Sequence, residues 1–128
     1  MTADNRPLAV FDLDNTLAAT AHRQHFLDIV YLTGRPERCR RDTLDWLAAH
    51  RLPEGPVHMR RNRDFRPARV TKVEILRRLG ADRTVRMLVD DDLLVCDAAE
   101  AAGFRVVRAL WATPSQTLRD AQEKEGRT

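Results

Sequence analysis

Residues 8–17 read LAVFDLDNTL, and this stretch decides the fold. Its apolar run at 8–13 predicts a buried strand, which leads into Asp12, Asp14 and Thr16. An Asp-x-Asp-x-Thr ending brings two acids close together, and capping a helix or a turn would not require both of them. We therefore expect a chemical role for these residues at the end of the strand.

Outward from this stretch, short apolar runs alternate with segments of helical periodicity. Strands are predicted at 29–32, 57–59, 85–89 and 104–107, and helices at 18–27, 37–50, 68–79 and 93–102. Gly80 and Gly103 are expected to cap the last two helices. The alternation predicts an α/β fold, a doubly wound and mostly parallel five-stranded sheet. We assign residues 1–112 to this domain and 113–128 to a polar C-terminal tail.

Ligands of such sheets bind outside the carboxyl ends of the strands, so the residues that follow each strand form the candidate site. These residues are Asp12, Asp14 and Thr16, then Thr33, Gly34 and Arg35, then Arg60 and Arg61, and finally Asp90, Asp91 and Asp92, with Lys72 near the start of the helix at 68–79. Carboxylates this crowded cannot all ionise without a cation, and hard oxygen ligands suit Mg²⁺. Asp92 alone is better interpreted as a helix cap.

The composition is that of a globular domain. The chain has 128 residues, of which 43% are hydrophobic and 32% charged, which excludes a disordered chain. It has no apolar run of about 18 residues and no signal-peptide pattern, so we expect a cytoplasmic protein that does not bind membranes. Cys39 and Cys96 form no CxxC pair and are expected to be reduced thiols.

The motif FDLDNTL at 11–17 resembles the first signature of the haloacid dehalogenase-like (HAD-like) phosphatase superfamily. The other signatures follow in order: a strand ending in Thr33, then Lys72, then the acidic pair Asp90-Asp91. The resemblance covers about residues 8 to 110 and implies the Rossmann-like fold of that superfamily. In that superfamily a cap domain is usually inserted after the first or after the third strand. Both connections are short in this chain, so we expect a capless domain with an open site.

The resemblance also implies a mechanism. Asp12 would be the nucleophile that forms an aspartyl-phosphate, and Asp14 would be the general acid and then the base. Thr33 would hold phosphoryl oxygens, and Lys72 would neutralise their charge. Mg²⁺ would bind Asp12, the backbone carbonyl of Asp14 and Asp91, while Asp90 would hold a metal-bound water. Which residue of the triplet 90–92 binds the metal directly stays open.

Arginines cluster at two places on the predicted edge of the site. Arg35, Arg38, Arg40 and Arg41 follow the second strand, and Arg60, Arg61, Arg63, Arg66 and Arg69 follow the third. Such a rim would bind further phosphates in a salt-dependent way, although a solvated arginine-rich surface explains the same pattern. The candidate substrate-binding residues are Thr16, Gly34, Arg35, Arg38 and Arg60.

Three segments are similar to the 3′-phosphatase domain of polynucleotide kinase–phosphatase. They are LTGRPERCRRDTLDWLAAHRLP at 32–53, HMRRNRDFRP at 58–67, and VDDD at 89–92 followed by AAEAAGF at 98–104. This similarity implies a nucleic-acid 3′-phosphate end as substrate, with Arg35 as a phosphate ligand. The chain departs from the family at Ala68 and Arg69, where acidic residues often orient the lysine, and it has no GxxxxGK[ST] kinase motif.

Three functions stay open on this basis. The first is removal of 3′-phosphates from nucleic-acid ends, with a separate kinase or ligase as a possible partner. The second is a phosphatase of nucleotides or other small phosphate esters. The third is a catalytically weak remnant that binds phosphorylated ligands or a partner, suggested by the short first crossover and by the missing acids before Lys72.

Overall fold

The structure is a computed structural model that describes residues 6–12 and 27–109. The strands are β1 (Leu8–Phe11), β2 (Asp28–Pro36), β3 (Val57–Arg60), β4 (Val85–Asp90) and β5 (Val106–Arg108), and the helices are α1 (Arg40–Ala49), α2 (Ala68–Asp82) and α3 (Leu93–Ala101). A 3₁₀ turn at Glu37–Cys39 leads into α1. Apart from Leu27, the helix predicted at 18–27 lies outside the described residues, as does the predicted tail at 113–128.

The five strands form one parallel sheet in the order β3-β2-β1-β4-β5. The chain passes outward from β1 through β2 to β3, then crosses to β4 on the other side of β1. The strand order therefore reverses between β1 and β4, which makes their carboxyl ends the place where such sheets bind ligands. The predicted α/β fold with a doubly wound parallel sheet is confirmed.

Side chains of the central strand alternate between two apolar layers. Phe11 packs in one layer with Leu47 of α1. Val10 packs in the other layer with Leu76 of α2 and Val95 of α3. Because successive strand residues point to opposite faces, a strand covered on both faces must be apolar throughout, as LAVF is.

One predicted helix boundary is wrong. Helix α2 continues through Gly80 to Asp82, so Gly80 does not cap it. Leu79, directly before the glycine, packs against the core, and this packing outweighs the helix penalty of a glycine, about 1 kcal/mol. The second predicted cap is confirmed, because Gly103 follows α3 with a φ of +95°.

The connection between β3 and α2 is a short loop at residues 61–67, which contains no inserted domain. The other position for a cap, between β1 and β2, falls on residues that the structure does not describe. Cys39 and Cys96 are both buried and form no disulfide with each other, in agreement with the expected thiols. Within residues 6–12 and 27–109, none of the helices has the length and apolar character needed to span a membrane.

Substitution of two glycines by alanine should change stability in opposite directions. A methyl group at Gly55 would lie 2.3 Å from the backbone oxygen of Ile29, so Gly55→Ala should lower the free energy of unfolding by about 1–3 kcal/mol. At Gly80 the nearest atom, on the Phe104 ring, would be 3.5 Å away. Gly80→Ala should therefore raise the free energy of unfolding by roughly 0.5–1 kcal/mol through helix propensity. Urea unfolding measures both, and a neutral Gly55→Ala would contradict the close approach.

Candidate active site

Asp12, Thr33 and Asp90 lie at the carboxyl edge of three neighbouring strands. The backbone N–H of Asp12 donates to the carbonyl of Val89 at 2.9 Å, which extends the pairing of β1 with β4 by one residue. All three polar side chains are buried, with Asp90 and Thr33 each 1% exposed. Asp12 and Asp90 therefore face each other where the strand order reverses.

Lys72 bridges these two carboxylates from the second turn of α2. Its Nζ donates to Oδ2 of Asp90 at 2.9 Å and to Oδ1 of Asp12 at 3.2 Å. Burial by itself lowers the pKa of Lys72, but the charges and hydrogen bonds of Asp12 and Asp90 outweigh it and raise that pKa above the usual range. The ammonium group is thus a fixed positive charge inside the site.

Asp90 is held through both of its carboxylate oxygens. Oδ2 accepts from Lys72, and Oδ1 accepts from the backbone N–H of Asp92 at 2.9 Å. Burial raises the pKa of Asp90 to about 6, against the lowering effect of Lys72. Asp92 itself caps α3, because its Oδ1 accepts from the N–H of Leu94 at 3.0 Å, which confirms its interpretation as a helix cap.

The acids at this edge form a potential cation site. One carboxylate oxygen from each of Asp12, Asp90 and Asp91 lies within 4.8 Å of the other two. Asp91 is half-buried, whereas the other two are buried. With Lys72 as the balancing charge, the three carboxylates leave an excess of negative charge. An all-oxygen donor set with this excess fits Mg²⁺.

The segment 33–35 shapes the neighbouring wall of the site. β2 extends to Pro36, beyond the predicted end at residue 32, and its pairing with β3 is irregular between Leu32 and Pro36. The Oγ1 of Thr33 accepts from the N–H of Arg35 at 3.1 Å. A backbone donor occupies this oxygen, so the Thr33 hydroxyl can itself donate outward. The Arg35 side chain is buried.

Arg60 is a buried brace between two walls of the site. Its Nε donates to the carbonyl of Gly34 at 2.9 Å, and its Nη1 donates to the carbonyls of Asp64 at 3.0 Å and Arg66 at 2.9 Å. From the sequence, Arg60 was expected to bind substrate or to belong to a solvated arginine-rich surface, but its side chain is buried. Strand periodicity could have indicated its burial, because Val57 and Met59 face the α1 layer and so direct Arg60 toward α2.

Two of the other rim arginines form ion pairs with nearby acids. Arg40 pairs with Glu37 at 2.8 Å, and Arg66 pairs with Asp64 at 2.6 Å and with Glu74 at 2.9 Å. Arg66 is exposed despite its ion pairs, and the other exposed arginines of the rim are Arg38, Arg41, Arg61, Arg63 and Arg69. Of the remaining predicted site residues, Asp14 and Thr16 lie outside the described residues.

Comparison with protein families gives a match to the model described as "PITM 1-3, LNS2 domain" over residues 18–90, more than half of the chain. The matched range includes Thr33, Lys72 and Asp90 and begins after Asp12. No curated protein matches the chain.

Two similar solved structures bear on the fold. One, titled "Structure of the Pnkp1/Rnl/Hen1 RNA repair complex", is 20% identical with a TM-score of 0.73, covering 84% of this chain and 43% of the other. The second, "Structure of Pnkp1/Rnl/Hen1 complex", is also 20% identical, with a TM-score of 0.72 and coverage of 81% and 46%. The chain thus spans less than half the length of either neighbour, and the likeness is one of fold.

Replacing Lys72 by methionine should destabilise the protein strongly. Lys72→Met leaves the buried carboxylates of Asp12 and Asp90 without their shared cation, which should lower the free energy of unfolding by about 3–5 kcal/mol. The double variant Lys72→Met/Asp90→Asn should recover part of this loss, because one of the two charges is removed. Urea unfolding in a chelating buffer measures both, and an equal loss in the single and double variants would contradict the pairing.

The buried carboxyl of Asp90 should also make stability depend on pH. In the folded protein its pKa is raised to about 6, whereas an unfolded chain has about 3.9. The stabilisation that the folded protein gains from this raised pKa is therefore fully present below about pH 4. It is lost as the pH rises through the pKa of Asp90 in the folded protein. Between pH 4 and 7, the stability of Asp90→Asn should rise relative to the unsubstituted protein, measured by metal-free urea unfolding. Exposed Asp97→Asn is the control, and a pH-independent difference for Asp90→Asn would count against burial.

Proposed function

The chain belongs to the LNS2 domain family, a family of HAD-like phosphatase domains, and from this premise we propose that it is a Mg²⁺-dependent phosphomonoesterase that removes 3′-phosphates from nucleic-acid ends. The observation that carries the proposal is the buried cluster of Asp12, Lys72 and Asp90 at the reversal of strand order. Burying an ammonium and two carboxylates is costly for stability alone. Such a cluster is typical of a site that handles anionic substrates.

In the proposed first step, a carboxylate oxygen of Asp12 attacks the phosphorus atom. The bond between phosphorus and the substrate's 3′ oxygen breaks, and that oxygen takes a proton from the Asp14 carboxyl. The product is an aspartyl-phosphate on Asp12 and a free 3′ hydroxyl. The Lys72 ammonium, 3.2 Å from Asp12, would offset the negative charge that gathers on the phosphoryl oxygens.

In the second step, a water molecule attacks the phosphorus atom. Asp14, now a carboxylate, accepts the proton from the water, and the bond between phosphorus and the Asp12 oxygen breaks. Inorganic phosphate leaves, and both acids return to their starting states. The roles of Asp14 and Thr16 rest on the motif FDLDNTL.

Thr33 and Gly34 are the proposed holders of the phosphoryl oxygens. The Thr33 Oγ1 already accepts from the Arg35 N–H, which leaves the hydroxyl proton for a substrate oxygen. The Gly34 carbonyl is fixed by Arg60, so this end of β2 is held in place before substrate arrives. Arg35 and Arg38 would contact the substrate from the same segment.

The proposed metal would bind Asp12, Asp91 and the backbone carbonyl of Asp14. Asp91 is half-buried and offers a carboxylate oxygen within 4.8 Å of those of Asp12 and Asp90, which supports it as the direct carboxylate ligand. When bound, Mg²⁺ would supply the positive charge that lets a carboxylate approach an anionic phosphate.

One observation favours an active enzyme over a binding remnant, and a second favours a nucleic-acid substrate. Hydrogen bonds to Asp12 and Asp90 orient Lys72, although positions 68 and 69 are Ala68 and Arg69 and not acids. Exposed arginines stand on the site's rim, where they could meet further phosphates. The similarity in fold to a chain of an RNA repair complex is consistent with such a substrate and with a separate kinase or ligase partner.

Phosphate release tests the proposed function directly. We expect Mg²⁺-dependent release from a 3′-phosphorylated oligonucleotide, faster than from a 3′-mononucleotide or an aryl phosphate and weakened by salt. Asp12→Asn should lower kcat by at least about 10³-fold, because the nucleophile is lost. Asp97→Asn, the same substitution at an exposed acid, should leave turnover unchanged.

The other outcomes separate the remaining functions. Equal turnover of all three substrates would contradict the nucleic-acid preference and favour a phosphatase of small esters. No turnover of any substrate by the folded protein would contradict both enzymes and leave the binding remnant.

A further inference from the structure

The loop that connects β3 to α2 presents an aromatic side chain to solvent. We name residues 61–67, RNRDFRP, the arginine loop. Phe65 in this loop is 75% exposed, more than any other large hydrophobic residue that the structure describes. An isolated exposed apolar residue is ordinary in itself, so its meaning depends on how the loop holds it.

Phe65 is held between two residues that are tied to the protein interior. The carbonyls of Asp64 and Arg66, one on each side of it, both accept from Nη1 of the buried Arg60. A buried cation thus fixes the backbone on either side of the exposed ring. A loop that only needed to be solvated would not require this.

Further contacts brace the arginine loop at both ends. Asn62 accepts through Oδ1 from the backbone N–H of Arg38 at 2.7 Å. Arg66 pairs with Asp64 within the loop and with Glu74 on α2. The backbone that carries Phe65 is therefore held in place, which lowers the ordering cost of any contact that the ring makes.

The charges around the ring indicate what it contacts. Arg61 and Arg63 are exposed, and within the described part of the chain neither forms an ion pair with an acid. Aromatic rings combined with unpaired cations are the usual surface for single-stranded nucleic acid, in which bases stack and phosphates meet guanidinium groups.

The arginine loop also lies next to the catalytic cluster. The same Arg60 that holds the loop donates to the Gly34 carbonyl, one residue after Thr33. At its other end the loop leads through Pro67 into α2, which carries Lys72. A single-stranded nucleic acid whose terminal phosphate reached Lys72 would bring its last nucleotides to the arginine loop.

We propose that Phe65 stacks on a base of a single-stranded nucleic-acid substrate close to its terminal phosphate, while Arg61 and Arg63 contact the adjoining backbone phosphates. This inference rests on the proposed function and adds to it the part of the substrate that is recognised. It makes the single-stranded end, and not only the phosphate, the recognised feature.

Fluorescence anisotropy in a chelating buffer tests the stacking. The probe is a 3′-phosphorylated single strand, compared with the same strand made abasic at its last two positions. Phe65→Ala should weaken binding of the intact strand about tenfold, whereas Phe65→Trp should retain it. Leu44→Ala, at another exposed apolar residue, should leave binding unchanged. The abasic strand should bind the unsubstituted protein and Phe65→Ala alike.

Equal affinity of the unsubstituted protein and Phe65→Ala for the intact strand would overturn the inference. So would a Phe65→Ala that keeps its oligonucleotide affinity but loses binding to vesicles of phosphatidylcholine and phosphatidylserine, because the ring would then belong to a membrane contact. Aryl phosphate turnover separates the two proposals. If the protein hydrolyses aryl phosphate but Phe65→Ala does not change the affinity for the oligonucleotide, only the stacking is refuted. If the affinity for the oligonucleotide depends on Phe65 but no aryl phosphate is hydrolysed, only the enzymatic activity is refuted.

Discussion

The ammonium group of Lys72, buried between the carboxylates of Asp12 and Asp90, is the interaction on which the rest of the site depends. Lys72 is separated by 60 residues from Asp12 and by 18 from Asp90. The charges are therefore paired only when α2 is docked across the carboxyl ends of β1 and β4. Any arrangement that left one of these groups buried alone would be penalised by several kcal/mol, of the order of 3–5. Correct docking of α2 and assembly of the site are thus a single event.

The neighbouring acids Asp90 and Asp91 differ in their surroundings. Asp90 is almost completely enclosed and holds its proton more tightly than an ordinary carboxyl, with a pKa of about 6. Asp91, the next residue, is half-buried and reaches the same space from a more solvated position. Adjacent residues at one strand end can therefore have different roles. Asp90 holds Lys72, whereas Asp91 is the proposed metal ligand.

Much of the fold could be predicted from periodicity, because a strand buried on both faces leaves an unbroken apolar run such as LAVF. The strand-end rule likewise predicts that Asp12 and Asp90 lie at one edge of the sheet, and the position of Lys72 near the start of a helix adds it to that edge. The end of α2 was missed because core packing around Leu79 overrides the local preference of Gly80. The bracing role of Arg60 was missed because sequence patterns indicate which face a residue occupies, but not the carbonyls that it binds.

Arg60 ties the arginine loop through backbone carbonyls, and this divides the loop into two kinds of position. Carbonyl acceptors do not depend on side-chain identity, so the shape of the loop is largely insensitive to what stands at 61, 63 and 65. The outward side chains can then be exchanged while the loop keeps its path. Related chains that keep an arginine at this strand end can diverge in what they recognise without rebuilding the carboxyl edge of the sheet. In such chains the arginine loop would keep one backbone conformation while its exposed side chains bind different partners.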